Sequence, residues 1–158
     1  MPDLLVKLYE LPDGAAAVAR AAQAGVAVRR ANSWEKRVVV DFVERAFTPA
    51  WAAECEVAFG SVPPRCFVAV RDGGVLGFAC HDTTRRNFFG PAGVEPAEQG
   101  KGIGAALTLA ALATMREAGY AYAIVGGAGP EAFYARVCGA VAITGSTPGI
   151  YDLALMRK

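Results

Sequence analysis

The run VEPAEQGKGIGAALTLAALATMREAG, residues 94–119, decides the fold. It reads as the exit of a strand at Val94, a turn carrying Gly100, Gly102 and Gly104, and an apolar helix from about Lys101 to Ala118 closed by Gly119. Residues without side chains let a ligand approach the backbone, and the first N–H groups of a helix have no intrahelical acceptor. A helix mouth also favours negative charge by roughly 0.3–1 kcal/mol. With Lys101 supplying a mobile positive charge, Gln99, Gly100, Lys101, Gly102, Ile103 and Gly104 read as a cradle for a phosphate-bearing ligand. The plainer alternative is a turn whose glycines only permit tight chain reversal.

Downstream of the cradle, Tyr120 to Val125 reads as a buried strand. Gly126-Gly127-Ala128-Gly129 then turns into a short helix opened by Pro130, and Ile150 to Met156 reads as a final strand. Upstream, Cys66 to Val70 and Val75 to Cys80 flank Asp72-Gly73-Gly74, the pattern of a tight hairpin. A third strand runs from Asn87 to Val94, interrupted by Gly90, Pro91 and Gly93, which predicts a bulge or a close backbone approach. Further back lie a strand at Leu4–Tyr9, an alanine-rich helix at Ala15–Ala24 and a short strand at Val26–Arg30. Ser33 is placed to cap a helix through Val39, Phe42 and Val43, and a further helix starts at Pro49. The succession predicts one compact α/β domain: a mixed sheet with helices on both faces, without repeats or linkers. Residues 1–25 form a strand–helix extension to a domain at residues 26–158.

The 158 residues suffice for one domain with a core of its own. Sixteen Lys and Arg against fifteen Asp and Glu leave a net charge of +1, which offers no electrostatic footprint for a nucleic-acid backbone or an anionic membrane. Cys55, Cys66, Cys80 and Cys138 form no CxxC, and His81 is the lone histidine. No metal set is expected, only buried, reduced thiols. The opening MPDLLVKLYELPDG lacks a basic leader followed by a long apolar stretch, and the apolar run from Gly104 to Ala113 is too short to cross a membrane. The expected location is the cytoplasm.

Three phosphate cradles compete for residues 99–104. A P-loop needs GxxxxGK[ST], which is absent. A dinucleotide fingerprint can be traced through Gly100, Gly102 and Ala105. However, the next strand closes at Val125-Gly126-Gly127 without the carboxylate a ribose requires, and too little chain follows for a second nucleotide-binding half. The third pattern fits: Gln99, two residues, Gly102, one residue and Gly104, preceded by Val94-Glu95-Pro96 at a strand exit. Here the sequence, from about Val26 to Met156, resembles the GNAT family of acyl-coenzyme A-dependent N-acetyltransferases.

The resemblance implies a splayed pair of strands, those ending near Val94 and Val125, with acetyl-coenzyme A wedged between them. Backbone groups around Val94 would pair with the pantetheine arm as an added strand does. The amides from Gly100 to Gly104 would take the pyrophosphate. It also implies a primary amine of a small molecule or a protein as acceptor. Members are often dimers, and the extra N-terminal strand offers an edge for a second copy. A tyrosine on the helix after the second splayed strand often protonates the departing thiolate, and Tyr134 occupies that place. Its alternative role is packing, with the hydroxyl on a backbone carbonyl.

For the base the reading is Glu95, at the mouth of the expected cleft. His81 and Asp82 at a strand end, Glu98 and water-relayed deprotonation stay open. Many members carry an asparagine about two turns before the tyrosine; this chain has Gly127, so a cofactor contact there falls to backbone N–H groups. Trp34 and Trp51 are expected in the core, and only one of Phe88 and Phe89 can face the cleft. The acceptor is expected to be chosen by residues between Ser33 and Phe59 and by the loop Thr144–Gly149. A non-catalytic acyl-coenzyme A-binding module is the alternative function.

Overall fold

The computed structural model describes residues 1–153 and 155. Its seven strands are β1 (Leu4–Lys7), β2 (Ala27–Arg30), β3 (Cys66–Arg71), β4 (Gly74–His81), β5 (Phe88–Val94), β6 (Tyr122–Val125) and β7 (Val141–Ala142). They form one sheet in the order β2-β3-β4-β5-β6-β1-β7. β5 and β6 run parallel; every other neighbouring pair is antiparallel. Five α-helices accompany them: α1 (Ala15–Gln23), α2 (Lys36–Ala46), α3 (Pro49–Ala58), α4 (Ile103–Glu117) and α5 (Glu131–Cys138).

Strand alternation divides the core between the two faces. Phe67, Ala69 and Ala79 pack with Leu107, Leu112 and Met115 of α4 and with Ala17 and Ala21 of α1. The intervening Cys66, Val68, Phe78 and Cys80 pack with Val39, Phe42 and Val43 of α2 and with Ala52 and Cys55 of α3. The expected mixed sheet with helices on both faces is the architecture found.

Asp72 and Gly73 both have positive φ, 50° and 75°. That is the paired left-handed geometry a two-residue hairpin favours, because its twist matches the flanking strands. The breakers in β5 produce the bulge expected of them, while the close approach they permit is by a side chain rather than a backbone. The β4–β5 register shifts between Ala79, opposite Ala92, and His81, opposite Phe89. A side chain at Gly93 would lie 2.6 Å from the Phe47 ring, so glycine is what lets that ring close over β5.

The sheet opens at one place. β5 pairs with β6 only through Phe88–Ile124 and Phe89–Val125, while β5 runs on to Val94 with β4 as its sole partner. β6 stops at Val125, where the chain turns through Gly126 and Gly127. This is the splay expected near Val94 and Val125.

Several expectations need correction. β1 is interior, with β6 on one side and β7 on the other, and the sheet edges are β2 and β7. Leu4, Val6, Ala17 and Ala21 share the core with α4, and β1, flanked on both sides, offers no free edge to a second copy. Asn32, not Ser33, caps the turn before α2: it exchanges hydrogen bonds with Glu35 in a capping box that Ser33 is one residue too late to make. Helix α4 begins at Ile103 rather than Lys101, because Gly102 is left-handed, at φ 82°. The stretch read as a last strand holds instead a 3-10 turn at Gly149–Leu153, and the last short strand is β7; Ala154 and Met156 lie outside the described residues. Among the described residues no helix is long and apolar enough to cross a membrane.

Candidate functional site

At the mouth of α4 the amides of Gly100, Lys101, Gly102, Ile103, Gly104 and Ala105 donate to no acceptor among the described residues; the first amide engaged is that of Ala106, which bonds the Gly102 carbonyl at 3.2 Å. No side chain caps this helix. Six unpaired donors around a glycine-rich mouth suit a diphosphate, whose oxygens accept several N–H groups at once.

The turn is held rigidly from behind. Gln99 Nε2 donates to the Val94 carbonyl at 3.1 Å, tying the turn to the end of β5. Glu98 is buried and grips Arg71 through two bonds, 2.6 and 3.1 Å, and Lys101 through a third, 3.0 Å. Lys101 is therefore not the mobile cation the sequence suggests but half of an ion pair. These partners, Arg71 first and then Lys101, hold the Glu98 carboxyl down at about 2, so it is no base near neutral pH. Because the folded group titrates below its ordinary 4.5, it stabilises the fold above that pH and loses its effect as pH falls toward about 2. Glu98→Gln should lower the melting temperature at pH 7 and shrink the further drop between pH 4.5 and 2, measured by circular dichroism.

Two cavities lie at the splay. The first, of about 650 Å³, runs from Gln99, Gly100, Gly102 and Gly104 past Gly93 and Val94 to Phe133 and Tyr134. The second, of about 550 Å³, is bounded by Glu54, Phe89, Gly126, Gly127, Pro148 and Tyr151. Trp51, Ala92, Pro130 and Tyr134 border both. The two cavities therefore lie side by side at the opened strand pair, with Tyr134 as one of their shared walls.

Tyr134 sits on α5, its ring edge-on to Phe89 at 6.0 Å and to Phe133 at 5.0 Å. Its hydroxyl makes no hydrogen bond with the described residues, so the carbonyl contact of the packing alternative is not made. Burial pushes the phenol up to about 12.

Glu95 lines neither cavity. Its amide closes the sheet by donating to the Leu76 carbonyl at 2.8 Å. His81 is 3% exposed rather than solvated, and its Nδ1 meets Asp82 Oδ2 at 2.8 Å. Burial pushes the imidazole pKa down, and neither residue borders a cavity. The Gly127 amide is also unavailable to a cofactor: it donates to Asp3 Oδ1 at 2.8 Å, while the next amide, Ala128, donates to the Pro2 carbonyl at 3.1 Å. Ile103 is buried and positions its own amide at the helix mouth.

Phe47, Thr108 and Arg136 border the first cavity, a role not read from the sequence. Arg136 lies 5.8 Å over the Phe133 ring, three residues before it on the same helix, a spacing that places both on one face and could have marked it. Trp34, expected in the core, is 82% exposed, and Trp51 is a cavity wall. Cys55, Cys66 and Cys80, from α3, β3 and β4, bring their sulfurs within 4.8 Å of one another. All four cysteines are free and buried, and burial pushes the Cys80 thiol well up.

A mixed sheet splayed beside a helix whose mouth presents unpaired amides is the arrangement that the resemblance to the GNAT family implies. The pattern of the acetyltransferase (GNAT) family matches residues 30–140, and the chain belongs to that family. Among solved structures it is similar to the GCN5-related glucosamine N-acetyltransferase region of a fungal multi-domain GH3 beta-N-acetylglucosaminidase, with 18% identity over 90% of this chain and 19% of that one, at TM-score 0.72. It is similar also to a GCN5-related N-acetyltransferase from Sphaerobacter thermophilus, with 17% identity, 90% and 48% coverage and TM-score 0.67. A GNAT family acetyltransferase from Brucella melitensis, solved in complex with acetyl-CoA, shares 25% identity over 70% of this chain and 80% of that one, at TM-score 0.55. The chain thus spans 19% and 48% of the first two proteins' lengths. Among curated proteins no sequence matches it.

Proposed function

We propose that the chain transfers an acetyl group from acetyl-coenzyme A to a primary amine. The observation that carries this is the pair of cavities that share Tyr134 as a wall, one reaching the α4 mouth and the other bordered by Phe89, Val125 and Gly126 at the splay. The amides of residues 100–105 hold the diphosphate. Gly93 and Val94 flank the arm that leads from it to the splay, and the amine enters through the second cavity. Bound acetyl-coenzyme A supplies an activated acyl carbon and a thiolate leaving group. Tyr134, protonated through the working range, gives its proton to the departing sulfur.

Glu95 has no place in this mechanism, because it borders neither cavity. The Gly127 amide has no place in it either, because Asp3 already occupies it.

The purified chain should release free coenzyme A from acetyl-coenzyme A when an amine is added, followed with a thiol-reactive dye. Tight coenzyme A binding with no release across a broad amine panel would identify the non-catalytic binding module instead.

A further inference from the structure

The second cavity carries a single carboxylate. Among the described residues that border it, Glu54 is the one acidic side chain and no lysine, arginine or histidine joins it, while Met1, which carries an α-amino group, also borders the cavity. Glu54 projects from α3 and is partly buried. Thr84, in the loop before β5, donates its hydroxyl to Glu54 Oε2 at 2.7 Å and so fixes the carboxylate. No ion pair within the described residues neutralises it. The remaining walls are largely apolar: Trp51, Phe89, Pro91, Pro148 and the ring of Tyr151.

We propose that Glu54 selects the acceptor, and that the acceptor is a small primary amine with an apolar or aromatic body, one cationic centre and no acid group. The proposal rests on the acetyl-transfer function above. A fixed carboxylate in a half-enclosed site attracts an ammonium and is worth most where water is scarce. An acidic group on the acceptor meets no cationic side chain on this cavity's border, and a second ammonium is pressed against apolar walls at a desolvation cost.

The same carboxylate aims the nucleophile. Once the ammonium has lost a proton to water, the neutral amine donates an N–H to Glu54, and its lone pair points away from that oxygen. The C–N bond forms as the C–S bond breaks. Of the three ammonium protons one has left to water, one replaces the proton Tyr134 gave to sulfur, and one stays on the amide. Glu54 is the specificity-determining group and Thr84 a positioning residue.

The test uses the whole chain with acetyl-coenzyme A and four acceptors: 2-phenylethylamine, phenylalanine, spermidine and a lysine-containing peptide. The expected result is a kcat/KM for 2-phenylethylamine above each of the others by about 30-fold or more, the scale of an unpaired buried charge. Glu54→Gln should raise the KM for 2-phenylethylamine by a similar factor while kcat changes less. Glu54→Asp should recover part of the loss, and Thr84→Val should raise KM in the same direction by a smaller factor. Calorimetry should give an unaltered coenzyme A affinity in all three variants.

Equal use of phenylalanine, a preference for spermidine or the peptide, or an unmoved KM in Glu54→Gln would overturn the inference. Coenzyme A binding without turnover of any amine, or failure of the parent chain to bind coenzyme A, would instead bring down the acetyl-transfer reading, and the selection with it.

Discussion

Replacing Gly104 by aspartate should weaken coenzyme A binding by about 100-fold or more while leaving the fold intact, as read by calorimetry beside thermal melting. Gly104 is the second residue of α4, inside the first cavity. Its φ is ordinary, and a Cβ there meets the Phe133 ring at 3.4 Å and Val94 at 3.7 Å, which are plain van der Waals contacts. A carboxylate in the first turn of a helix is itself favoured by roughly 0.3–1 kcal/mol, so Gly104→Asp should melt no lower than the parent. The preference that steadies the variant destroys the site. The new carboxylate takes up the amides meant for the diphosphate and repels its charge; at an effective dielectric of about 20, two unit charges 4 Å apart oppose one another by about 4 kcal/mol. Gly104→Ala separates the two effects: it fills the same space without charge, and should cost far less affinity. Unchanged coenzyme A affinity in Gly104→Asp would mean that the ligand lies elsewhere.

The free amides at the α4 mouth were legible because their physics is local. Gln99, Gly102 and Gly104 stand at fixed offsets on one turn, and whether amides are free follows from where the helix starts. The splay was legible for a related reason: Gly90, Pro91 and Gly93 break β5, and the Gly126-Gly127 turn stops β6, so neither strand can extend the pairing past Phe89 and Val125. What needed the third dimension was long range. Asp3 fills the Gly127 amide across 124 residues. β1 finds its place between β6 and β7 because Leu4 and Val6 belong to the same core as α4, a fact no local pattern carries. Lys101 looked free because its partner, Glu98, is itself fixed by Arg71 from a different strand. Glu95 looked catalytic because it follows the strand exit, yet the end of β5 spends its backbone on Leu76, and the cavities form beside it rather than under its side chain. Glu54 went unremarked since nothing in its own helix distinguishes it; only the approach of the Thr84 loop and the 3-10 turn carrying Tyr151 makes a cavity around it.

Tyr134→Phe should lower kcat by about 100-fold, the lower end of what a positioned general acid contributes, because a thiolate leaves more readily than an amine or alkoxide. Coenzyme A affinity should be unchanged. The substitution is unusually clean. The phenylalanine ring keeps the edge contacts to Phe89 and Phe133, and the lost hydroxyl has no hydrogen bond to the described residues, so removing it exposes no unpaired partner. Melting temperature should therefore hold or rise slightly, and a fall in rate cannot be charged to unfolding. The pH profile separates acid catalysis from mere packing. With the phenol pushed up to about 12 by burial, the parent enzyme keeps its acid through neutral and moderately alkaline pH. Its rate should climb as the acceptor amine loses its proton and then level, with no descending limb below pH 10. Tyr134→Phe should climb over the same interval to a plateau about 100-fold lower, since the amine still titrates and only the proton donor is gone. If instead the plateau matches the parent, sulfur leaves without help and Tyr134 serves only as a wall of the two cavities. If the descending limb appears near pH 8 in the parent, the acid is a group other than a buried phenol, and the junction between the two cavities would have to be served by water.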